Sequence, residues 1–517
     1  MNEKLIIDDR IPPTLPLGAS SLHVKATQQD AVAKRDSFNG FMLISVLISL
    51  VGYLLFMSFE VRVLFYIGCA LLCISCGQYA IKSLFRRKLN TGALITSQTM
   101  LWYALPFSYI GFFGYEYYIW NALEIDNAET VAIIILVSYI LYFIFDRYGK
   151  EITIPDVEIR FNSCALLLLP ILLSQLYMVI AGQRGYANVV GVGQTQEEAS
   201  QLYQFTVALS TSVMPLCAVM LAKILIDSEN RQKLARLMFC ISALLVQFLW
   251  WTTAGRRAMT ILAIISVVSF FSIYYKRKLT ERKIFMIIAF SIVFVPAVWY
   301  LWESYYLLRL ATTASRGAEN LSIMDLGRAQ ELTGGLDMDS AFTNNVIKRP
   351  FSLPTSVTVV RETASGFLYG WNTLSQLLLS IPSAFFPGKF DFIGPVGELL
   401  WFEALGVPLT DWSNTLFIES YIDFGVFGLF IYIIIISALM RLTLWIARGI
   451  GWDVVIWFTY FNLAFFMLSI EASANTIFVG FRSAFIALFI AFVVRIIANA
   501  GGVKLRRGPR LNHRSVQ

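Results

Sequence analysis

Runs of almost unbroken apolar residues, each near the ~20 needed to cross the hydrocarbon core of a bilayer, constrain this chain more than any other feature. About twelve can be marked, near 40–59, 62–84, 92–113, 128–147, 161–182, 203–227, 236–254, 258–275, 283–303, 413–440, 453–471 and 474–500. Composition agrees: 57% of the 517 residues are hydrophobic, 15% are charged, and the mean hydropathy is +0.65. A water-soluble protein of this length needs far more polar surface, so the solvent of this chain is the bilayer. The expected fold is an all-α polytopic membrane protein of about twelve transmembrane helices. One long outer loop, carrying short interfacial helices, interrupts them.

The segments divide accordingly. Residues 1–39 are polar, contain Pro12, Pro13 and Pro16, and read as a flexible N-terminal tail rather than a cleavable leader. Residues 40–303 hold spans one to nine, 304–412 the long loop, 413–500 spans ten to twelve, and 501–517 a basic tail. Basic clusters set the orientation. Arg86-Arg87-Lys88, Arg231 to Arg236, Lys276 to Lys283, Arg441 with Arg448, and Lys504 to Arg514 fall on one side. The positive-inside rule makes that side cytoplasmic, and an even number of spans puts both termini there. The acidic 114–127 link then lands outside. The net charge of +7 is accounted for by these short loops and does not call for nucleic acid.

Within the long loop, 367–386 (FLYGWNTLSQLLLSIPSAFF) is apolar but broken by Pro382 and Pro387. It is expected to be an interfacial or re-entrant helix lying over the bundle. Both histidines, His23 and His513, sit in the polar tails, which removes a His-ligated metal from the membrane body and the commonest general base. The six cysteines lie in apolar stretches. Cys69, Cys73 and Cys76 share a helical face, and that spacing reads as packing against a neighbouring helix.

Several arginines break the charge rule by lying on the outer side. Arg184 follows the fifth span, Arg256 and Arg257 occupy the tight turn between the seventh and eighth, and Arg309, Arg316, Arg328 and Arg361 lie in the loop. Guanidinium groups are always charged and grip phosphate in a bidentate fork, so this set suits a pyrophosphate at the headgroup level; anchoring to anionic lipid is the alternative. Three ionisable residues fall inside spans. Glu419 and Asp423, at i and i+4, are expected roughly 9 and 15 Å below the outer end of the tenth span, and Arg482 roughly 12 Å into the twelfth. Charges in a membrane normally pair or line a wet cavity, so Arg482 is expected to pair with Glu419 or Asp423.

Two of these regions, in this order and on this side, resemble the O-antigen polymerase and ligase superfamily of bacterial envelopes. The first is the Arg-bearing turn Ala254-Gly255-Arg256-Arg257-Ala258. The second is the helix that opens at Ser413-Asn414-Thr415-Leu416 and runs through Glu419 and Asp423 to Gly425 and Gly428, after a long outer loop. The resemblance implies an inner-membrane glycosyltransferase working on the periplasmic face. Its substrates would be undecaprenyl-pyrophosphate-linked oligosaccharides, with no cofactor and no metal. It further implies that Arg184, Arg256, Arg257, Arg361 and Arg482 bind pyrophosphate, with Glu419, Asp411 and Asn414 as the catalytic set. Glu362 and Glu403 are other acids on that side.

Members of the ligase branch carry a histidine where this chain has Ser413, so a repeat-unit polymerase of a surface polysaccharide is expected ahead of a ligase. A chain-length regulator and a flippase would be its pathway partners. A transporter of the same lipid-linked sugars is the competing class, although no inverted repeat relates the two halves.

Overall fold

The computed structural model describes residues 40–113, 125–153, 160–180, 206, 209–226, 232–254, 256–274, 307, 311, 326–332, 356, 359–360, 366–381, 386–407, 415–469 and 474–500. These are helical almost throughout. The long helices are α1 (Gly40–Phe59), α2 (Val63–Arg86), α3 (Thr91–Phe113), α4 (Ile125–Tyr148), α5 (Phe161–Ile180), α6 (Val213–Ile226), α7 (Lys233–Ala254) and α8 (Arg256–Tyr274). After them come a short α9 (Leu326–Leu332), then α10 (Trp371–Ser380), α11 (Lys389–Ile393) and α12 (Glu398–Leu405). The C-terminal part holds α13 (Leu416–Phe424), α14 (Gly428–Ile450), α15 (Asp453–Leu468) and α16 (Ala474–Ala500).

Seven helical stretches are long and apolar enough to cross a membrane, and three shorter apolar helices (α6, most of α8, and α15) stand among them. The chain is a multi-pass membrane protein. The expected ninth span, 283–303, lies outside the described residues.

Which way the apolar side chains point shows what surrounds the bundle. On α5, Leu166, Leu169, Leu173 and Leu176 are exposed, and on α1 so are Leu43, Ile44, Leu47, Val51 and Leu54. Those spacings of three and four residues trace single helical stripes facing outward, which water would penalise and lipid accepts. In α15 the pattern is different. Every residue from Val454 to Leu468 is buried, so this helix is apolar all round because it is enclosed all round. It packs against α3, α6, α8, α14 and α16.

Polar side chains join the spans where apolar packing is non-directional. Gln247 Nε2 donates to Gln175 Oε1, and the Trp251 indole donates to Gln247 Oε1 at 3.1 Å, linking α5 to α7. Asn462 Nδ2 donates to Thr211 Oγ1 at 2.9 Å and ties α15 to the chain before α6. Such bonds contribute roughly 0.6 kcal/mol each in membrane bundles, but they fix register. The cysteines of α2 pack as expected, Cys73 near Ser108 of α3 and Cys76 near Met42 of α1.

At the end that carries Arg86-Arg87-Lys88, Lys88–Leu89 pairs antiparallel with Ile152–Thr153, and Lys88 Nζ lies 3.6 Å from Glu151 Oε2. Asn90 then accepts from the Ala93 N–H at 3.3 Å and starts α3.

Candidate functional site

The expected tenth span is not one straight helix. Its first nine residues form α13, and the chain then turns through a short 3-10 segment, Gly425–Phe427, into α14. Tyr432 Oη donates to the Glu419 carbonyl at 3.3 Å across 13 residues of sequence. In a straight helix those positions stand roughly 20 Å apart, so α13 folds back onto the start of α14. Gly425 makes the turn with φ +60°, and at Gly428 a Cβ would stand 1.8 Å from the Ser420 carbonyl oxygen. Only glycine fits either place. With 23 residues, α14 is long enough to cross the bilayer unaided, and α13 lies beside its N-terminal end. The sequence-based depths of Glu419 and Asp423 are therefore corrected: both belong to the folded-back α13.

Asp423 is fully buried and saturated. Its carboxylate accepts from the N–H of Asn372 (2.9 Å) and of Thr373 (2.8 Å), from Thr373 Oγ1 (2.5 Å) and from Tyr432 Oη (2.8 Å). Asn372 and Thr373 open α10, whose N-cap is Gly370 at φ +91° with no side-chain acceptor of its own. A helix start exposes unpaired N–H groups and partial positive charge, and here a carboxylate from another helix supplies the cap.

Cations hold the other end of α10. Lys389 Nζ donates to the Leu379 and Ile381 carbonyls at 2.9 and 2.6 Å, and Arg482 Nη1 donates to the Ser380 carbonyl at 3.2 Å. The expected Arg482 ion pair with Glu419 or Asp423 is absent. The reason is geometric. Helix α10 packs lengthwise on α16, both helices begin at α13, and Arg482 lies eight residues beyond Ala474 just as Ser380 lies eight beyond Asn372. Arg482 thus meets the far end of α10, roughly 12 Å from the carboxylate that holds its start.

Glu419 is also fully buried, and it differs from Asp423 in having capacity left over. One oxygen, Oε2, accepts from the Ala474 N–H at 2.6 Å and so caps the start of α16. The other, Oε1, has no hydrogen-bond partner among the described residues. A buried carboxylate oxygen without a donor is costly, and among the described residues Asn372 Nδ2, at the same junction, is likewise without a partner.

A cleft lies next to this junction. Helices α3, α14, α15 and α16 surround it, and Thr415, with Leu416 and Phe417 of α13, lines it together with Gln98, Thr99 and Met440. About 50 Å³ of it is open to the centres of water molecules, room for a few waters by volume. Its walls are mainly apolar. The Tyr103 hydroxyl pins the rim, 2.7 Å from Ser356 Oγ and 3.2 Å from Thr415 Oγ1, and Thr415 Oγ1 in turn caps α13 by accepting from the Ile418 N–H. Leu416, Ile436 and Ile477 line both the cleft and a tighter crevice that reaches Ala474, Thr373 and Tyr432. Those three residues hold the two carboxylates.

The remaining candidates divide by position. Arg256 and Arg257 form the first turn of α8, so the turn expected from sequence is a helix start; their side chains lie outside the described residues. Arg184, Arg361, Asp411 and Asn414 lie outside the described residues as well. Glu403 is on α12 and exposed, and Arg328 is exposed on α9. Sequence reasoning did not single out Lys389, Tyr432 or Thr373. The Pro-Gly-Lys start of α11 and a tyrosine nine residues after Asp423 were the available signals, and neither carries a partner's identity.

Searches against protein-family models, curated proteins and solved structures return no match.

Proposed function

We propose that this protein is a membrane-embedded glycosyltransferase that polymerises a bacterial surface polysaccharide. It would join oligosaccharide repeat units carried on undecaprenyl pyrophosphate, on the periplasmic face of the inner membrane. The observation that carries the reading is Glu419: a fully buried carboxylate with one oxygen left without a partner among the described residues, one turn from Thr415 at the rim of a cleft. Supporting it is the resemblance of the Ala254–Ala258 turn and of the Ser413–Gly428 segment to the O-antigen polymerase and ligase superfamily.

In this reading Glu419 Oε1 takes the proton of an acceptor hydroxyl as its oxygen attacks the anomeric carbon of the donor. The bond from that carbon to the pyrophosphate oxygen breaks, and undecaprenyl pyrophosphate leaves with the electron pair. Arg256 and Arg257, at the start of α8 where helix dipole and side-chain charge have the same sign, stabilise the departing anion. Arg184 and Arg361 are assigned to the same anion, and Asp411 and Asn414 flank the acceptor. Arg482 is withdrawn from the anion set, because it is engaged with α10. The acceptor reaches Glu419 from the cleft only if Leu416, Ile436 and Ile477 part, so a side-chain opening belongs to the cycle.

The test is deletion of the gene in its host with gel analysis of surface glycan length. Complementation would use wild type, Glu419→Gln and the double variant Arg256→Ala/Arg257→Ala. Polymerisation predicts single repeat units on the normal acceptor in the deletion strain, long chains with wild type, and no rescue by either variant. Full-length chains stranded on the lipid carrier would indicate a ligase.

A second reading is favoured by one feature. The break at Gly425, with the short α13 folded against a spanning helix, is the kind of discontinuous helix that builds substrate sites in transporters. A flippase for the same lipid-linked sugars would leave the deletion strain with no repeat units at the surface at all.

A further inference from the structure

Residues 367–386 were expected to be an interfacial or re-entrant helix lying over the bundle, and the side chains of α10 are distributed the wrong way round for a helix in water. The face of α10 that packs inward is polar: Asn372, Ser375, Gln376 and Ser380 are buried. The face that points away is apolar, with Leu374 and Leu377 both more than 40% exposed. Phe392 of α11, Leu399 and Phe402 of α12, and Phe427 at the α13–α14 turn are exposed as well.

The chain also doubles back here. Lys389 is fixed at the end of α10 and Trp401 returns to its start, where the indole donates to Asn372 Oδ1 at 3.2 Å. This makes a helical hairpin whose first arm, α10, is laid on α16. Its backbone ends are satisfied from within the protein: Asp423 takes the first N–H groups of α10, and Lys389 and Arg482 take its last carbonyls. A surface element in water needs no such provision, since water caps helix ends; an element in contact with lipid does.

We propose that the α10–α12 hairpin is seated in the boundary between headgroups and acyl chains, on the side of the bilayer where α14 and α16 begin, with Leu374, Leu377, Phe392, Leu399 and Phe402 against the acyl chains. The spans carry outward apolar stripes of the same kind, and no charged side chain interrupts that face of α10. Asp391 and Glu403, both exposed, set the depth: they stay with the headgroups, which limits insertion to roughly 5–10 Å.

The experiment uses the whole chain without substitution. The protein is reconstituted in vesicles of phosphatidylethanolamine and phosphatidylglycerol doped with a phospholipid bearing a diazirine on its acyl chain, then illuminated, and adducts are mapped by mass spectrometry. The proposal predicts adducts on the 371–402 peptides at yields comparable with those on α5, whose Leu169 and Leu173 serve as the internal standard. Labelled α5 with an unlabelled hairpin would overturn it, whether a water-soluble probe then reaches Leu377, meaning the hairpin stands in water, or does not, meaning a protein partner covers it.

Discussion

Two carboxylates one helical turn apart have opposite fates, and the difference is the number of donors each one meets. Asp423 meets four, from two backbone N–H groups and two hydroxyls. Replacing it with alanine leaves those donors buried and unpaired, at about 1–3 kcal/mol for each one stranded. Asp423→Ala is thus expected to lower the thermal midpoint of the detergent-solubilised protein steeply, and Asp423→Asn much less. A midpoint unchanged by Asp423→Ala would contradict the capping role. Glu419 meets one donor, so Glu419→Gln keeps an acceptor for Ala474 and is expected to fold normally while failing to restore long glycans. The sequence brought out both acids, because ionisable residues inside apolar runs stand out. It also suggested an Arg482 partner that the fold does not supply. Charge alone names no partner, and the competitor for Arg482 was a backbone carbonyl, that of Ser380, which no side-chain pattern displays. A double-mutant cycle of Arg482→Met with Glu419→Gln should accordingly be additive within about 0.5 kcal/mol, as for sites that share no contact.

Around α13, helix ends are capped by side chains from other helices. The start of α10 depends on Asp423 and the start of α16 on Glu419, while the end of α10 depends on Lys389 and Arg482. Helix α13 is the hub of these contacts, and it can be the hub because it is short and folded back. Two glycines permit that shape. Gly428→Ala would drive a Cβ into the Ser420 carbonyl, whereas at Gly449, in the same helix, a Cβ meets nothing within 4 Å. Gly428→Ala is therefore expected to abolish a monodisperse gel-filtration peak and Gly449→Ala to leave it intact; equal behaviour would rule out the elbow. The apolar runs were legible because period and length identify a span without reference to its neighbours. The elbow was not. Phe424-Gly425-Val426-Phe427-Gly428 is as apolar as the helix that follows, and hydropathy carries no information on direction.

At the level of the whole molecule, the bundle is organised around α15, enclosed by five other helices, with outward leucine and isoleucine stripes on the peripheral spans. The apolar runs, with 57% hydrophobic residues, led to an all-α membrane protein but not to the enclosure of α15. The proposed function rests on what the cleft and Glu419 do together, and a cleft bounded by α3, α14, α15 and α16 draws on residues more than 380 positions apart, such as Ile95 and Phe481. No local motif encodes such a meeting. The central claim is that this assembly makes glycosidic bonds and is not a conduit. The most direct measurement is reconstitution of the purified protein in liposomes with an undecaprenyl-pyrophosphate-linked oligosaccharide, following both glycan length and free undecaprenyl pyrophosphate. The predicted result is a ladder of longer glycans, with one lipid pyrophosphate released per bond formed and both signals lost in Glu419→Gln. Movement of the intact lipid-linked sugar across the bilayer, with no bond made and no pyrophosphate released, would contradict it.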